Sequence, residues 1–224
     1  METSVFLIPG LHGTAALFGP FSSLAPRGFQ CQTIPLPTGG EQEADALAAR
    51  MAETLPQAER FVLLAESFGG PIAARLAEHF PGRVILLVLS NPLTTVPVPF
   101  PAGLAGSLMQ SRRMPLGALA FMMTGGDRAL AKALLRELHS VPPETLKRRL
   151  AATSRAKGSY IPEHAGCRML TLLGTSDRLI SPAKSRKLLA PIPDNTLVEI
   201  EAPHLLLQTR PAEAWKAILR ELDR

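Results

Sequence analysis

The stretch Phe61-Val-Leu-Leu-Ala65-Glu66-Ser67-Phe68-Gly69-Gly70-Pro71 decides how the chain is read. Its first five residues form an unbroken apolar run, the pattern of a strand buried on both faces. From Phe68 to Phe80 the apolar residues recur at helical spacing instead. A serine standing where strand becomes helix matches G-x-S-x-G with Ala65 in the first position. Such a turn is so sharp that large Cβ groups would collide. Ala65 is small enough for it, and Gly69-Gly70 lets the helix lie close to the sheet. The turn would raise Ser67 Oγ above the sheet edge with the helix N-terminus beneath it. There the dipole and the Phe68 N–H favour developing negative charge. The competing reading is a serine that caps an ordinary strand–helix turn.

Outward from this turn the same alternation repeats. Strands are expected at Ser4–Ile8, Phe29–Ile34, Phe61–Ala65, Val84–Ser90, Met169–Gly174 and Thr196–Ile200. Helices are expected at Ala15–Leu24, Glu43–Leu55, Phe68–Phe80, Ser181–Leu189 and Pro211–Leu222. Strands alternating with helices imply an α/β fold, a mostly parallel six-stranded sheet flanked by helices. Residues 92–165 break the rhythm. Pro92, Pro97, Pro99 and Pro101 mark an irregular connection, followed by helical patterns near Leu104–Arg112, Leu116–Met123, Arg128–His139 and Glu144–Lys157. The expected organisation is a core of residues 1–91 and 166–224 with 92–165 as a helical lid.

Composition narrows the classes. The 224 residues are 46% hydrophobic and 19% charged, enough apolar material for one sizeable core and too much for disorder. Cys31 and Cys167 cannot make a disulfide framework, and a reducing compartment is the simplest setting. Met-Glu-Thr-Ser lacks a positive export signal, and no run approaches the roughly 18–20 apolar residues that span a bilayer. The expectation is a cytoplasmic protein with no transmembrane segment. No C-x-x-C, H-E-x-x-H, P-loop or G-x-G-x-x-G pattern occurs, so neither metal nor cofactor is expected. Lys147-Arg148-Arg149, without interleaved aromatics, reads as a solvated face, and no nucleic-acid partner is expected.

Serine needs a base and an orienting acid to act as a nucleophile. His79 and His139 close expected helices, where an imidazole complements the dipole. His204, in Glu201-Ala-Pro-His204, follows the last strand and would stand on the edge that carries Ser67. Asp177 follows Leu170–Gly174 by three residues. Its rival Asp194 precedes a strand, at the opposite edge, and Asp127 reads as a helix cap. Ser67, Asp177 and His204 are the candidate catalytic residues. The turn Pro9-Gly10-Leu11-His12-Gly13-Thr14 after the first strand offers Leu11 N–H beside Phe68 N–H as an oxyanion hole. His12 could line the entrance or hydrogen-bond the loop.

These segments, in this order along the whole chain, resemble the α/β-hydrolase superfamily. P-G-L-H-G-T, A-E-S-F-G-G-P, G-T-S-D-R-L-I-S-P and P-H-L-L-L-Q are similar to a branch of small bacterial α/β-fold hydrolases. That branch carries P-G-x-D-G-T and E-S-F-S-G-P. This chain departs from it at His12, where the branch has Asp, and at Gly69-Gly70, which stands in place of a Ser-Gly pair. The resemblance implies a serine hydrolase, here without the antiparallel edge strands usual in the family.

The expected reaction is hydrolysis of small acyl esters through an acyl-enzyme. Met109, Met114, Met122 and Met123 give the lid an adaptable apolar lining, with His12, Met122 and Met123 as candidate substrate contacts. Thioesterase, acyltransferase or C–C hydrolase chemistry on the same scaffold, or ligand binding without turnover, are the alternatives. Residues 101–165 hold 10 Lys/Arg against 4 Asp/Glu, whereas the whole chain carries +5. A lid with that excess would suit an anionic substrate or an acidic carrier protein.

Overall fold

The computed structural model of the protein describes residues 2–55, 59–94, 115–155 and 166–224, with Ser154 and Arg155 described by backbone alone. Six strands form one sheet: β1 (Thr3–Ile8), β2 (Phe29–Thr33), β3 (Phe61–Glu66), β4 (Val84–Ser90), β5 (Met169–Gly174) and β6 (Asn195–Ile200). Their order is β2-β1-β3-β4-β5-β6, and every neighbouring pair is parallel. The apolar runs follow from burial on both faces. Phe6, Ile8, Phe61, Leu63 and Ala65 point to one apolar layer. Val5, Leu7, Val62 and Leu64 point to the other. Successive side chains alternate across the pleat, so a strand covered on both sides must be apolar at every position.

Helices α2 (Ala44–Thr54), α3 (Gly69–Glu78) and α7 (Pro182–Leu189) cover the first face through Leu47, Met51, Ile72, Leu76 and Leu189. Helices α1 (Gly19–Ser23) and α9 (Pro211–Leu222) cover the second. Trp215 of α9 stacks on Phe21 of α1 with ring centroids 4.6 Å apart, and its Nε1–H donates to Phe21 O (2.9 Å). The helix expected over Ala15–Leu24 is split into a 3-10 turn, Ala16–Phe18, and α1. Pro20 has no N–H to carry a continuous ladder across that point.

Between β4 and β5 lie α4 (Leu116–Met123), α5 (Arg128–Ser140) and α6 (Pro143–Arg155). The helix expected near Leu104–Arg112 falls outside the described residues. Asp127 caps α5, accepting from Leu130 N–H (2.9 Å). These helices have an apolar cluster of their own, built on Leu119, Leu134, Leu138 and Leu146. It meets the remainder of the molecule at Leu17 and Leu205. Cys31 and Cys167 are free thiols, and burial pushes both up to about 11.

The strand order positions the site. The chain leaves β1 toward β2 on one side and leaves β3 toward β4 on the other. The loops after these adjacent strands therefore part and open a crevice at their carboxyl ends. That crevice lies between Gly10–Thr14 and Ser67.

Candidate active site

Ser67 terminates β3 with φ of +51°, a left-handed backbone that non-glycine residues rarely adopt. Its N–H donates to Ser90 O (3.0 Å), and its own carbonyl accepts from Gly70 N–H (3.0 Å) and Leu93 N–H (2.9 Å). The strained turn is thus held from β4 and from α3 together. Gly69 is required there, because a Cβ on it would lie 2.6 Å from Pro9 O and 2.8 Å from Ile8 O.

The structure brings Ser67, His204 and Asp177 into one hydrogen-bonded chain. Ser67 Oγ lies 2.9 Å from His204 Nε2, and His204 Nδ1 lies 2.7 Å from Asp177 Oδ2. The imidazole and the carboxylate side chains are each 1% exposed. The other carboxylate oxygen, Asp177 Oδ1, accepts from Leu179 N–H (2.8 Å) and Ile180 N–H (2.9 Å), which aims Oδ2 at the imidazole. Asp194 stands immediately before β6, at the far end of the sheet, and its carbonyl accepts from Met169 N–H (2.9 Å).

Leu11 occupies a four-residue turn closed by Gly13 N–H to Gly10 O (2.9 Å). Across the crevice a Cβ on Gly10 would lie only 3.4 Å from Ser67 Cβ, so the turn runs directly alongside the serine. Phe68, immediately before α3, presents its N–H at the helix start. His12 is 3% exposed. Its Nδ1 accepts from Thr14 N–H (3.2 Å), which leaves Nε2–H for Glu66 Oε1 (3.4 Å). Glu66 Oε2 in turn accepts from Gln208 Nε2 (2.9 Å) on α8 (Leu206–Thr209). A buried polar thread therefore joins the turn, the residue before Ser67 and the helix after His204. Met122 and Met123 are half-buried on α4, with Met123 packed into the helices' own apolar cluster. Met109 and Met114 lie outside the described residues.

Several polar residues that organise this site did not stand out in the sequence. Asn91, buried with φ of +40°, donates from Nδ2 to His204 O (2.9 Å) and Pro203 O (3.1 Å). Its Oδ1 accepts from Gly174 N–H (2.7 Å), so one side chain ties the end of β5 to the histidine loop. A polar residue directly after an apolar strand, Ser90-Asn91-Pro92, was the available signal. Arg149 corrects the reading of Lys147-Arg148-Arg149 as a solvated face: Lys147 and Arg148 are exposed, but Arg149 is 0% exposed. It shares a helical face with Leu146, Leu150 and Thr153, so the 3.6-residue period turns it inward. Burial pulls its guanidinium down to about 10.

Helix α4 also reaches the site. Met123 O accepts from Leu205 N–H (2.9 Å), and Arg178, next to Asp177, donates from Nη1 to Phe121 O (3.0 Å). The same guanidinium lies 4.0 Å over the Phe121 ring. Among the described residues no helix is long and apolar enough to cross a membrane, and no group of three His, Cys, Asp or Glu side chains could hold a metal ion.

A parallel α/β sheet with serine, aspartate and histidine at its carboxyl edge, in that chain order, defines the α/β-hydrolase class. Within it, the family model described as serine aminopeptidase, S33, matches residues 42–207, and the chain belongs to that family. Solved structures agree on the fold. A hydrolase from Oleispira antarctica superimposes with a TM-score of 0.86 at 17% identity, over 100% of this chain and 92% of its own. An enol-lactonase from Burkholderia xenovorans LB400 gives 0.82 at 17% identity with the same coverages, 100% and 92%. A thermophilic esterase from Thermogutta terrifontis gives 0.77 at 19% identity, again covering 100% and 92%. A search of curated proteins gave no match. The protein is a hydrolase of the α/β-hydrolase family.

Proposed function

We propose that the protein hydrolyses carboxylic esters of small acyl groups through an acyl-enzyme on Ser67. The observation that carries this reading is the continuous hydrogen-bonded chain from Ser67 Oγ through His204 to Asp177 Oδ2. His204 Nε2 takes the hydroxyl proton as Oγ attacks the ester carbonyl. The carbonyl oxygen becomes an oxyanion against the N–H groups of Leu11 and Phe68. His204 then protonates the departing alcohol, and water repeats the sequence on the acyl-enzyme. Asp177, its Oδ1 already engaged by two backbone N–H groups, keeps the Nδ1–H tautomer and stabilises the imidazolium.

The lining supports acyl groups of short to medium length. Met122 and Met123 stand on the helix that contacts the loops of both Asp177 and His204. The esterase and enol-lactonase among the similar structures favour an ester or lactone carbonyl over other electrophiles. Segment 92–165, which contains α4, α5 and α6, acts as the lid. Its exposed Arg128, Lys132, Arg136, Lys147 and Arg148 favour an anionic substrate or an acidic carrier protein. The working compartment in this reading is the cytoplasm.

A fluorophosphonate probe tests the assignment. The wild-type protein should be labelled on Ser67 and Ser67→Ala should not. Turnover of a small activated ester should fall by roughly 10³-fold or more in that variant. An unlabelled wild type, or esterase activity unchanged in Ser67→Ala, removes the reading.

A further inference from the structure

Arg149 belongs to α6, yet its guanidinium lies under the turn that carries Leu11. Nη1 donates to Leu11 O (2.8 Å), and Nη2 donates to Pro37 O (3.2 Å) and Leu36 O (3.4 Å). Nε donates to Gln42 Oε1 (2.9 Å). The fit leaves no space: a Cβ on Gly13, whose φ is +71°, would lie 2.4 Å from Nη1. Residue 13 is thus glycine both for its backbone and for the group that sits against it. A second tie comes from α5, where Glu137 Oε2 accepts from Thr14 Oγ1 (2.9 Å).

The peptide that Arg149 grips is the one whose orientation distinguishes the two common turn types. In a four-residue turn the central peptide, here Leu11 C=O and His12 N–H, rotates by about half a turn between types I and II. Leu11 N–H belongs to the preceding peptide, which is planar and trans, so it points opposite Gly10 C=O. Gly10 C=O is fixed by Gly13 N–H, a closing bond that both turn types keep, so residue 11 is anchored on its N-terminal side by that bond and on its C-terminal side by Arg149. A guanidinium on Leu11 O, itself braced against Leu36, Pro37 and Gln42, therefore fixes where the turn and its Leu11 N–H stand relative to Ser67. We propose that Arg149, seconded by Glu137, is the positioning residue through which the helices between β4 and β5 hold the oxyanion turn in its working geometry. The inference rests on the oxyanion role proposed for Leu11. Beyond that role, it makes the α5–α6 segment a determinant of the chemical step as well as of access.

The sharpest test compares Arg149→Lys and Thr14→Val with the wild type on an activated ester, counting active sites by titration with a fluorophosphonate. Lysine keeps the charge but cannot serve Leu11, Pro37 and Gln42 together. Thr14→Val, at a half-buried position, cuts the second tie together with the contact of Thr14 Oγ1 to His12 Nδ1 (3.0 Å), leaves Arg149 in place, and stands in if the lysine variant does not fold. For Arg149→Lys, kcat per titrated site should fall on the order of 10-fold to 10²-fold, short of the roughly 10²–10³-fold for loss of an oxyanion donor. KM should stay within about two-fold, and affinity for a trifluoromethyl ketone, which forms the tetrahedral adduct, should fall in step with kcat. Thr14→Val should show the same signature more weakly, by a few-fold. If the wild type does not turn over the activated ester, the ester-hydrolase reading itself has failed. If it does, and the folded variants keep wild-type kcat per site or lose only KM or melting temperature, Arg149 is a structural strut and the inference is wrong.

Discussion

The sheet sandwich and the ring of loops and helices at its carboxyl edge are held together by opposite means. In the sandwich, side chains such as Leu7, Leu63, Leu64 and Leu87 are fully buried among other apolar groups. Their contribution is non-directional and scales with the area removed from water. At the carboxyl edge, Asn91, Arg149, Asp177, Glu66 and His12 are also buried, but each is aimed by hydrogen bonds of defined partners. Apolar packing tolerates shape changes of similar volume. A buried polar network does not, because a donor left alone bears its whole desolvation cost. The lesson is a division of labour in which the sandwich supplies stability and the edge supplies geometry.

Substitutions can break that division or sharpen it. The largest effect should come from Asp177→Asn, which presents the wrong partner to His204 Nδ1. Ester turnover should drop about 10³–10⁴-fold by steady-state assay while the melting temperature moves by only a few degrees. A collapse of the fold instead would mean that the edge also carries the stability. Leu63→Ala should do the reverse, losing about 3–5 kcal/mol in urea unfolding with kcat per folded molecule unchanged. Asn91→Leu sits on the border between the two. It should lose about 2–3 kcal/mol and turnover as well, because the same amide anchors Gly174 and the His204 loop. A loss of stability alone would place Asn91 with the sandwich. The smallest change should come from Thr145→Val, which removes one bond from α6 to Thr38 O (2.6 Å) and should cost about 1 kcal/mol.

The sequence revealed the two regions unequally. All six strands lay within a residue or two of their expected ends, because a strand buried on both faces shows as a continuous apolar run. Pro211–Leu222 and Leu116–Met123 matched their expected ends, helped by the prolines at or just before their first turns. The short α8 had too few residues to display a period. In the site, Ser67, Asp177 and His204 were legible because each lies within four residues after a strand of a parallel sheet, and such positions share one edge. Asn91 and Gln208 carry no comparable local mark. Arg149 was read with its neighbours as surface charge, although Thr145, Leu146, Leu150 and Thr153 around it already traced an inward face.

By itself, then, the sequence determined the layered α/β architecture and the three residues at the carboxyl edge. Those features are written in short-range periods of two and 3.6 residues and in small residues at sharp turns. Only the tertiary structure decided what surrounds them. Arg149 meets Leu11 across 138 positions of chain, Gln208 meets Glu66 across 142, and Asn91 meets His204 across 113. Pairings of that kind depend on where the strand order and the crossing helices place distant backbone, and no local pattern records it.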